Sequence, residues 1–159
     1  MKRLIPALQL STRAGGAAAL ALAMAAWLEL PLPIFAMVAA VIVTDLSPTQ
    51  TRKLALPRIA GTVIGATLGA IARPWLPGGP LAIGIGIFAA MLACRMLRMD
   101  DATKLSGFVC GSVLLEYGAE PWLYAATRLV ETLLGIGAAV LVSMVPKLIR
   151  VEEPVSPGP

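Results

Sequence analysis

Six apolar runs, separated by proline, glycine or charge, dominate this chain and leave it few ways to fold. They fall at 14–30, 32–46, 58–74, 80–97, 104–119 and 121–146. A helix needs ~20 apolar residues to cross the hydrocarbon core of a bilayer, within a range near 17–25. The spacing predicts an all-α membrane protein with six transmembrane helices in one bundle. The second and fifth runs are short, so they draw polar end residues into the span or line a thinned region of bilayer. Of the 159 residues only 14% are charged, against ~25% in a soluble domain. One bundle over 14–146 then leaves a cytoplasmic or interfacial N-terminus over 1–13, with Leu4, Ile5, Leu8 and Leu10 suited to a short interfacial helix. The tail over 147–159, ending VEEPVSPGP, lacks apolar periodicity and reads as disordered.

Basic residues orient the bundle. Lys2, Arg3, Arg13, Arg52, Lys53, Arg58, Arg95, Arg98, Lys104, Lys147 and Arg150 all fall on one side of a six-span arrangement, and Arg73 alone on the other. The positive-inside rule makes that side, with both termini, cytoplasmic. The net charge of +4 therefore points to membrane orientation and not to a nucleic-acid partner. The far-side turns LPLP, PWLPGGP and EYGAEP are tight, with tryptophan at the junctions as interfacial aromatics predict. Ala23-Met24-Ala25 would suit signal cleavage, but cleavage there leaves five spans and puts the basic loops on the wrong side.

Several chemistries are disfavoured. There is no histidine, which removes the usual zinc or copper ligand and the side chain that titrates nearest neutrality. Cys94 and Cys110 match no metal spacing and read as small packing residues. No nucleophile has a base partner and no glycine pattern cradles a phosphate. The chain reads as a non-enzyme that needs no cofactor and no metal.

Polar residues inside the spans are the informative ones. Arg128 and Glu131 lie within the sixth run, three residues apart and so on neighbouring parts of one helix face, with Tyr124 and Thr132 beside them. Charges at membrane depth are costly, rare, and turned toward a bundle interior or a watery path. Two readings stand: a structural ion pair, or a site in which Arg128 anchors an anion and Glu131 carries a proton. Arginine suits a carboxylate because its planar fork binds two oxygens at once, and burial disfavours the charged form of a carboxyl group, as a proton carrier requires. Asp45 closes the second run amid Thr44, Ser47, Thr49 and Gln50. It reads either as a helix end and turn, with Ser47-Pro48 as the stop, or as a gate paired to Arg52, Lys53 or Arg58. Asp100 or Asp101 is placed to cap the fifth helix.

Gly61, Gly65 and Gly69 recur every four residues along one face of the third run, with Thr62, Ala66 and Ala70 as a second small stripe. Gly107 and Gly111 mark the fifth run, and Gly135, Ala139 and Ser143 the sixth. Small residues let helix backbones approach closely in lipid. They predict close packing, or room for a pathway, or a dimer seam.

The segments RIAGTVIGATLGA and RLVETLLGIGAAVLV resemble the membrane domain of the fusaric acid resistance protein-like superfamily, which includes the aromatic acid exporters. The matching residues are Arg58, Gly61, Thr62, Gly65 and Gly69, then Arg128, Glu131, Thr132, Gly135 and Gly137. The resemblance covers 14–146. It implies a six-span module that exports aromatic carboxylic acids or related small organic anions, driven by the proton gradient, in a bacterial inner membrane. Many fuller members carry a large cytoplasmic domain or a second bundle. This chain stops soon after the sixth run, which favours a homodimer or larger homo-oligomer in the bilayer. The rival expectations are a non-transporting membrane scaffold or accessory subunit, and a passive channel.

Overall fold

A computed structural model describes residues 4–76, 79–116 and 120–145. Lys2, Arg3, Lys147, Arg150 and the tail expected over 147–159 lie outside the described residues. Six α-helices run in sequence: α1 (Leu4–Trp27), α2 (Ile34–Val43), α3 (Pro48–Ala72), α4 (Pro80–Met96), α5 (Thr103–Leu115) and α6 (Pro121–Met144). One 3-10 turn, Asp100–Ala102, precedes α5, and the described residues hold no strand. Pro48, Pro80 and Pro121 each open a helix, at a position whose N–H would have no helical partner anyway.

The distribution of side-chain sizes suits lipid. The core is built from Ala17, Ala21, Ala25, Ala36, Ala40, Ala138 and Ala139. Trp27, Trp75, Leu81, Phe88, Leu123 and Leu141 face outward. A soluble protein buries such large apolar groups, whereas a bilayer rewards small interfaces and greasy exteriors. Two helices, α3 and α6, are long and apolar enough to cross a membrane; α2 and α4 are shorter apolar helices. At 1.5 Å per residue, the 10 residues of α2 and the 13 of α5 reach only ~15 and ~20 Å, short of a ~30 Å hydrocarbon core.

Several boundaries differ from those the apolar pattern predicts. The first helix is continuous from Leu4, so no separate interfacial helix precedes it. The third starts at Pro48 and contains Pro57, where the sequence suggested a start after Pro57. Pro57 has no N–H for the carbonyl of Lys53, a loss that membrane helices tolerate when neighbours compensate. Here Thr51 accepts the Asp45 N–H at 3.1 Å and Ala55 packs into the α1–α2–α6 core, which holds the early turns helical. The fifth helix ends at Leu115. Its start carries no aspartate cap: Ala102 occupies that position, and Asp100 pairs instead with exposed Arg95 at 3.2 Å.

The packing is organised as two halves, α1–α3 and α4–α6. Helix α3 lies on α5 as α6 lies on α2; α4 lies on α5 as α1 lies on α2; and α3 crosses α6. The residues match as well. Thr62 meets Thr132, 70 residues on, at that crossing. Arg58 and Arg128, and Gly65 and Gly135, stand in the same relation. Gly65 backs onto the Ser106 carbonyl and Gly135 onto the Ala36 carbonyl, again with the same separation. The first helix of each half ends alike, in a left-handed residue, Glu29 (φ 52°) or Arg98 (φ 58°). The next N–H then reaches back to Ala25 or Cys94 at 3.0 Å, a Schellman-type stop. Each half has three helices, and the contacts of one half recur in the other. Internal repeats of this kind are found in many secondary transporters.

Candidate functional site

The site lies between the entry to α2 and the first half of α6, with α4 and α5 walling the adjoining space. Along α6, Tyr124, Arg128 and Glu131 fall on one stripe by helical spacing, and that stripe turns inward. Arg128 Nη1 donates to Glu131 Oε2 at 2.9 Å, with the two side chains 2% and 0% exposed. Arg128 Nη2 donates to the Tyr124 hydroxyl at 2.7 Å. The guanidinium also lies 3.3 Å from the centre of the Phe35 ring and 4.4 Å from that of Tyr124, a cation–π arrangement that strengthens as water is excluded. Its Nε is buried without a partner.

Glu131 has a second duty. The chain around Pro31 and Pro33 is not helical, so the Leu32 N–H lacks a helical acceptor. Glu131 Oε1 accepts it at 3.1 Å. Non-helical backbone at membrane depth survives only where something satisfies it, and this carboxylate does so at the entry to α2.

Two cavities adjoin the pair. One, of ≈ 350 Å³, is lined by Pro31, Leu32, Glu116, Glu120, Tyr124 and Arg128 among others. The other, of ≈ 430 Å³, is lined by Phe35, Ile87, Phe108, Ser112, Glu116 and Tyr124 among others. They share Glu116 and Tyr124, and the second is largely apolar and aromatic. Phe35 and Phe108 stand with ring centres 6.2 Å apart.

The remaining expected residues are placed as follows. Thr132 does not join the ion pair. It faces Thr62 at 3.5 Å, while the Thr62 hydroxyl donates to the Arg58 carbonyl at 2.8 Å. Asp45 forms no ion pair among the described residues; its carboxylate accepts the Ser47 N–H at 3.1 Å in a tight turn. Arg58, only 8% exposed, stands at the other end of the bundle from Arg128. The glycines pack: Gly61 and Gly69 against α5, and Gly107 and Gly111 against Met91 and Ile87 of α4. Cys94 and Cys110 are free and buried. Among the described residues no group of side chains is placed to hold a metal.

Phe35 and Leu32 were not foreseen. Phe35 stood in a run of apolar residues, and only the folded packing sets it over a charge. Given the weak Thr62–Thr132 contact, Thr62→Val and Thr132→Val should each cost no more than ~0.6 kcal/mol, the mean for interhelical hydrogen bonds in a membrane protein. Thermal unfolding in detergent checks this.

A bundle with an apolar exterior, an internal repeat and a buried charged pair fits a class: a membrane protein of transporter type. Residues 19–142 match the fusaric acid resistance protein-like family, and the chain belongs to that family. It is also 29% identical over 135 residues to the UPF0421 protein YgaE of Bacillus subtilis, covering 84% of this chain and 38% of that protein. The chain thus spans well under half the length of that relative. No solved structure matches it.

Proposed function

We propose that this chain forms a secondary exporter of aromatic carboxylates or similar small organic anions, acting in a bacterial inner membrane with its basic loops cytoplasmic. The observation that carries this reading is the Arg128 guanidinium, buried between the Phe35 and Tyr124 rings beside an aromatic cavity and balanced only by Glu131. A carboxylate attached to an aromatic ring matches both halves of that surface: the fork takes the oxygens and the aromatic cavity takes the ring. Family membership supports membrane transport over catalysis. Gly61, Gly65 and Gly69 hold one half of the repeat against its neighbour, and alternating access is a rocking of such halves. The working unit is proposed to be a homodimer or larger assembly.

The pair also supports a particular coupling of anion and proton. Arg128 is already occupied by Glu131. An incoming anion takes Arg128 only when Glu131 is neutral, because a lone buried carboxylate is costly. Anion and proton therefore load together at this pair, so the pair by itself carries the anion out only down the anion's own gradient, and a driving proton gradient would act through a separate exchange group. In proteoliposomes an imposed pH gradient should drive anion and proton in the same direction through this pair. Movement in opposite directions would assign proton exchange elsewhere, with Asp45 the next candidate.

Arg128→Ala should lower flux of aromatic acids by ~10- to 150-fold while the protein still inserts, the loss expected if one charge-assisted carboxylate contact is worth ~1.5–3 kcal/mol. Normal export by the alanine variant would remove Arg128 from the site. A second reading, a scaffold with a locking ion pair, is favoured by Glu131 also holding the Leu32 N–H. It requires Arg128→Ala to lower stability with no substrate-dependent effect.

A further inference from the structure

The two halves of the repeat are not chemically equal. Arg58 occupies in α3 the place that Arg128 occupies in α6. In the first half, however, Gly61 stands where the second half has Glu131, so Arg58 has no built-in counter-ion. A Cβ at Gly61 would lie 2.8 Å from the Ala102 carbonyl and 3.0 Å from Leu105, which leaves no space there for a carboxylate side chain. Arg58 is 8% exposed, enters no ion pair among the described residues, and its Nε is buried without a partner. A guanidinium so placed bears most of the cost of burial and receives none of the compensation its counterpart has.

It also has room in front of it. A cavity of ≈ 500 Å³ is lined by Gln50, Lys53, Pro57, Arg58, Asp101 and Leu105 among others, within the ~300–1,000 Å³ usual for small-molecule sites. The charges on that wall are Lys53 and Arg58 against Asp101, a surplus of one positive. The related cavity at the other end holds Arg128, already neutralised by Glu131, together with Glu116 and Glu120, a surplus of negative charge. A second cavity, of ≈ 510 Å³, shares Pro57 and Asp101 with the first and reaches Arg98 and Asp100. It lies toward the end of the bundle that carries Lys53, Arg95 and Arg98. The short helices α2 and α5 sit in corresponding positions of the two halves, the arrangement that marks a binding region in transporters built from repeats.

We propose that the Arg58 cavity is a second anion site, one that takes a monocarboxylate as the missing counter-ion and serves as the loading end of the pathway. It rests on the transport reading above, with Arg128 as the far-end counterpart. Gln50 and Lys53 supply further donors to the carboxylate, and Leu54, Leu105 and Ile42 give the ring an apolar wall. At the opposite end Glu131 competes for Arg128, and Glu116 and Glu120 repel the anion, so capture and release are assigned to different ends of one repeat.

The test uses the full chain in nanodiscs, with benzoate as probe and benzamide as its uncharged control. Benzoate should bind the wild type and benzamide should not. Arg58→Gln should weaken benzoate binding by about 10- to 100-fold, the loss expected for one charge-assisted contact, and Arg58→Lys should restore part of it. Should Arg58→Gln fail to fold, the wild type carries the test. Phenylglyoxal, an arginine reagent, should label Arg58, and benzoate but not benzamide should protect it, as read by peptide mass spectrometry. Unchanged benzoate affinity in a folded Arg58→Gln, or Arg58 labelling indifferent to benzoate, overturns the site. If Arg128→Ala still lowers export in that case, the transport reading stands and only the second site falls. If no aromatic carboxylate binds or crosses with the wild-type chain, both fall.

Discussion

Glu131→Ala should be the most damaging single substitution in the bundle, costing about 3–5 kcal/mol, as expected when one partner of a buried ion pair is removed. Arg128 would keep the Tyr124 hydroxyl and the Phe35 ring, but neither carries a negative charge, and its Nε already lacks a partner. The Leu32 N–H would lose its acceptor at the same time. Arg128→Leu should cost less, because a carboxyl group left alone can take up a proton and become neutral, whereas a guanidinium cannot lose one. Its Glu131 would still accept from Leu32. The double variant should recover much of the loss, since a buried pair replaced by apolar groups is often neutral or better. A thermal-unfolding cycle on protein in nanodiscs measures all four states. Equal costs for the two single variants would show that protonation does not relieve Glu131. An additive double variant would show that the pair does not act as a unit. The same cycle bears on function, because strong coupling with no response to substrate is the signature of a lock.

Substitutions at Gly65 and Gly135 should have the next largest effect. A Cβ at Gly65 would run into the Ser106 carbonyl, and one at Gly135 into the Ala36 carbonyl and the backbone nitrogen of Ala40 at 2.9 Å. Both obstacles are backbone within packed helices, so they cannot swing aside as a flexible side chain can. Gly65→Val or Gly135→Val forces α3 from α5, or α6 from α2. Overpacking of this kind costs ~1–3 kcal/mol and sometimes more, and separation would also loosen the close contacts on which helix association in lipid depends. Gly137 provides the control: nothing lies within 4 Å of a Cβ there. Gly137→Ala should be neutral or stabilising by ~0.5–1 kcal/mol through helix propensity. Melting temperature and elution volume of the purified variants check the contrast. Equal tolerance at Gly65 and Gly137 would mean that these glycines do not set helix separation.

Much of the architecture was legible because lipid simplifies the reading. Long apolar runs broken by proline and glycine become helices, and each of the six expected spans contains or overlaps one observed helix. The i, i+3 spacing of Arg128 and Glu131 was enough to anticipate that they share a face, and they do pair. Helix ends were less legible. Pro57 looked like a start, yet Thr51 and Ala55 make tertiary contacts that carry the helix through it. Asp100 looked like a cap, yet Arg95 on the preceding helix competes for its carboxylate. The internal repeat was written in the sequence as Arg58, Thr62 and Gly65 against Arg128, Thr132 and Gly135. Three matches in so apolar a chain carry little weight until the contacts repeat with them.

The sequence by itself determined that this chain is helical, where its small faces lie, and that one arginine and one glutamate ride on the last helix. Those follow from local physics: hydropathy, helical period and the cost of charge in hydrocarbon. Which arginine ends up compensated follows from the folded packing. Arg128 has Glu131, Tyr124 and Phe35 around it, while Arg58 has a cavity. Glu131 and Tyr124 come from the same helix as Arg128, but the Phe35 ring, the Leu32 N–H held by Glu131 and the walls of the Arg58 cavity come from other segments, whose approach is set by backbone packing at Gly65 and Gly135 and not by any pattern along one helix.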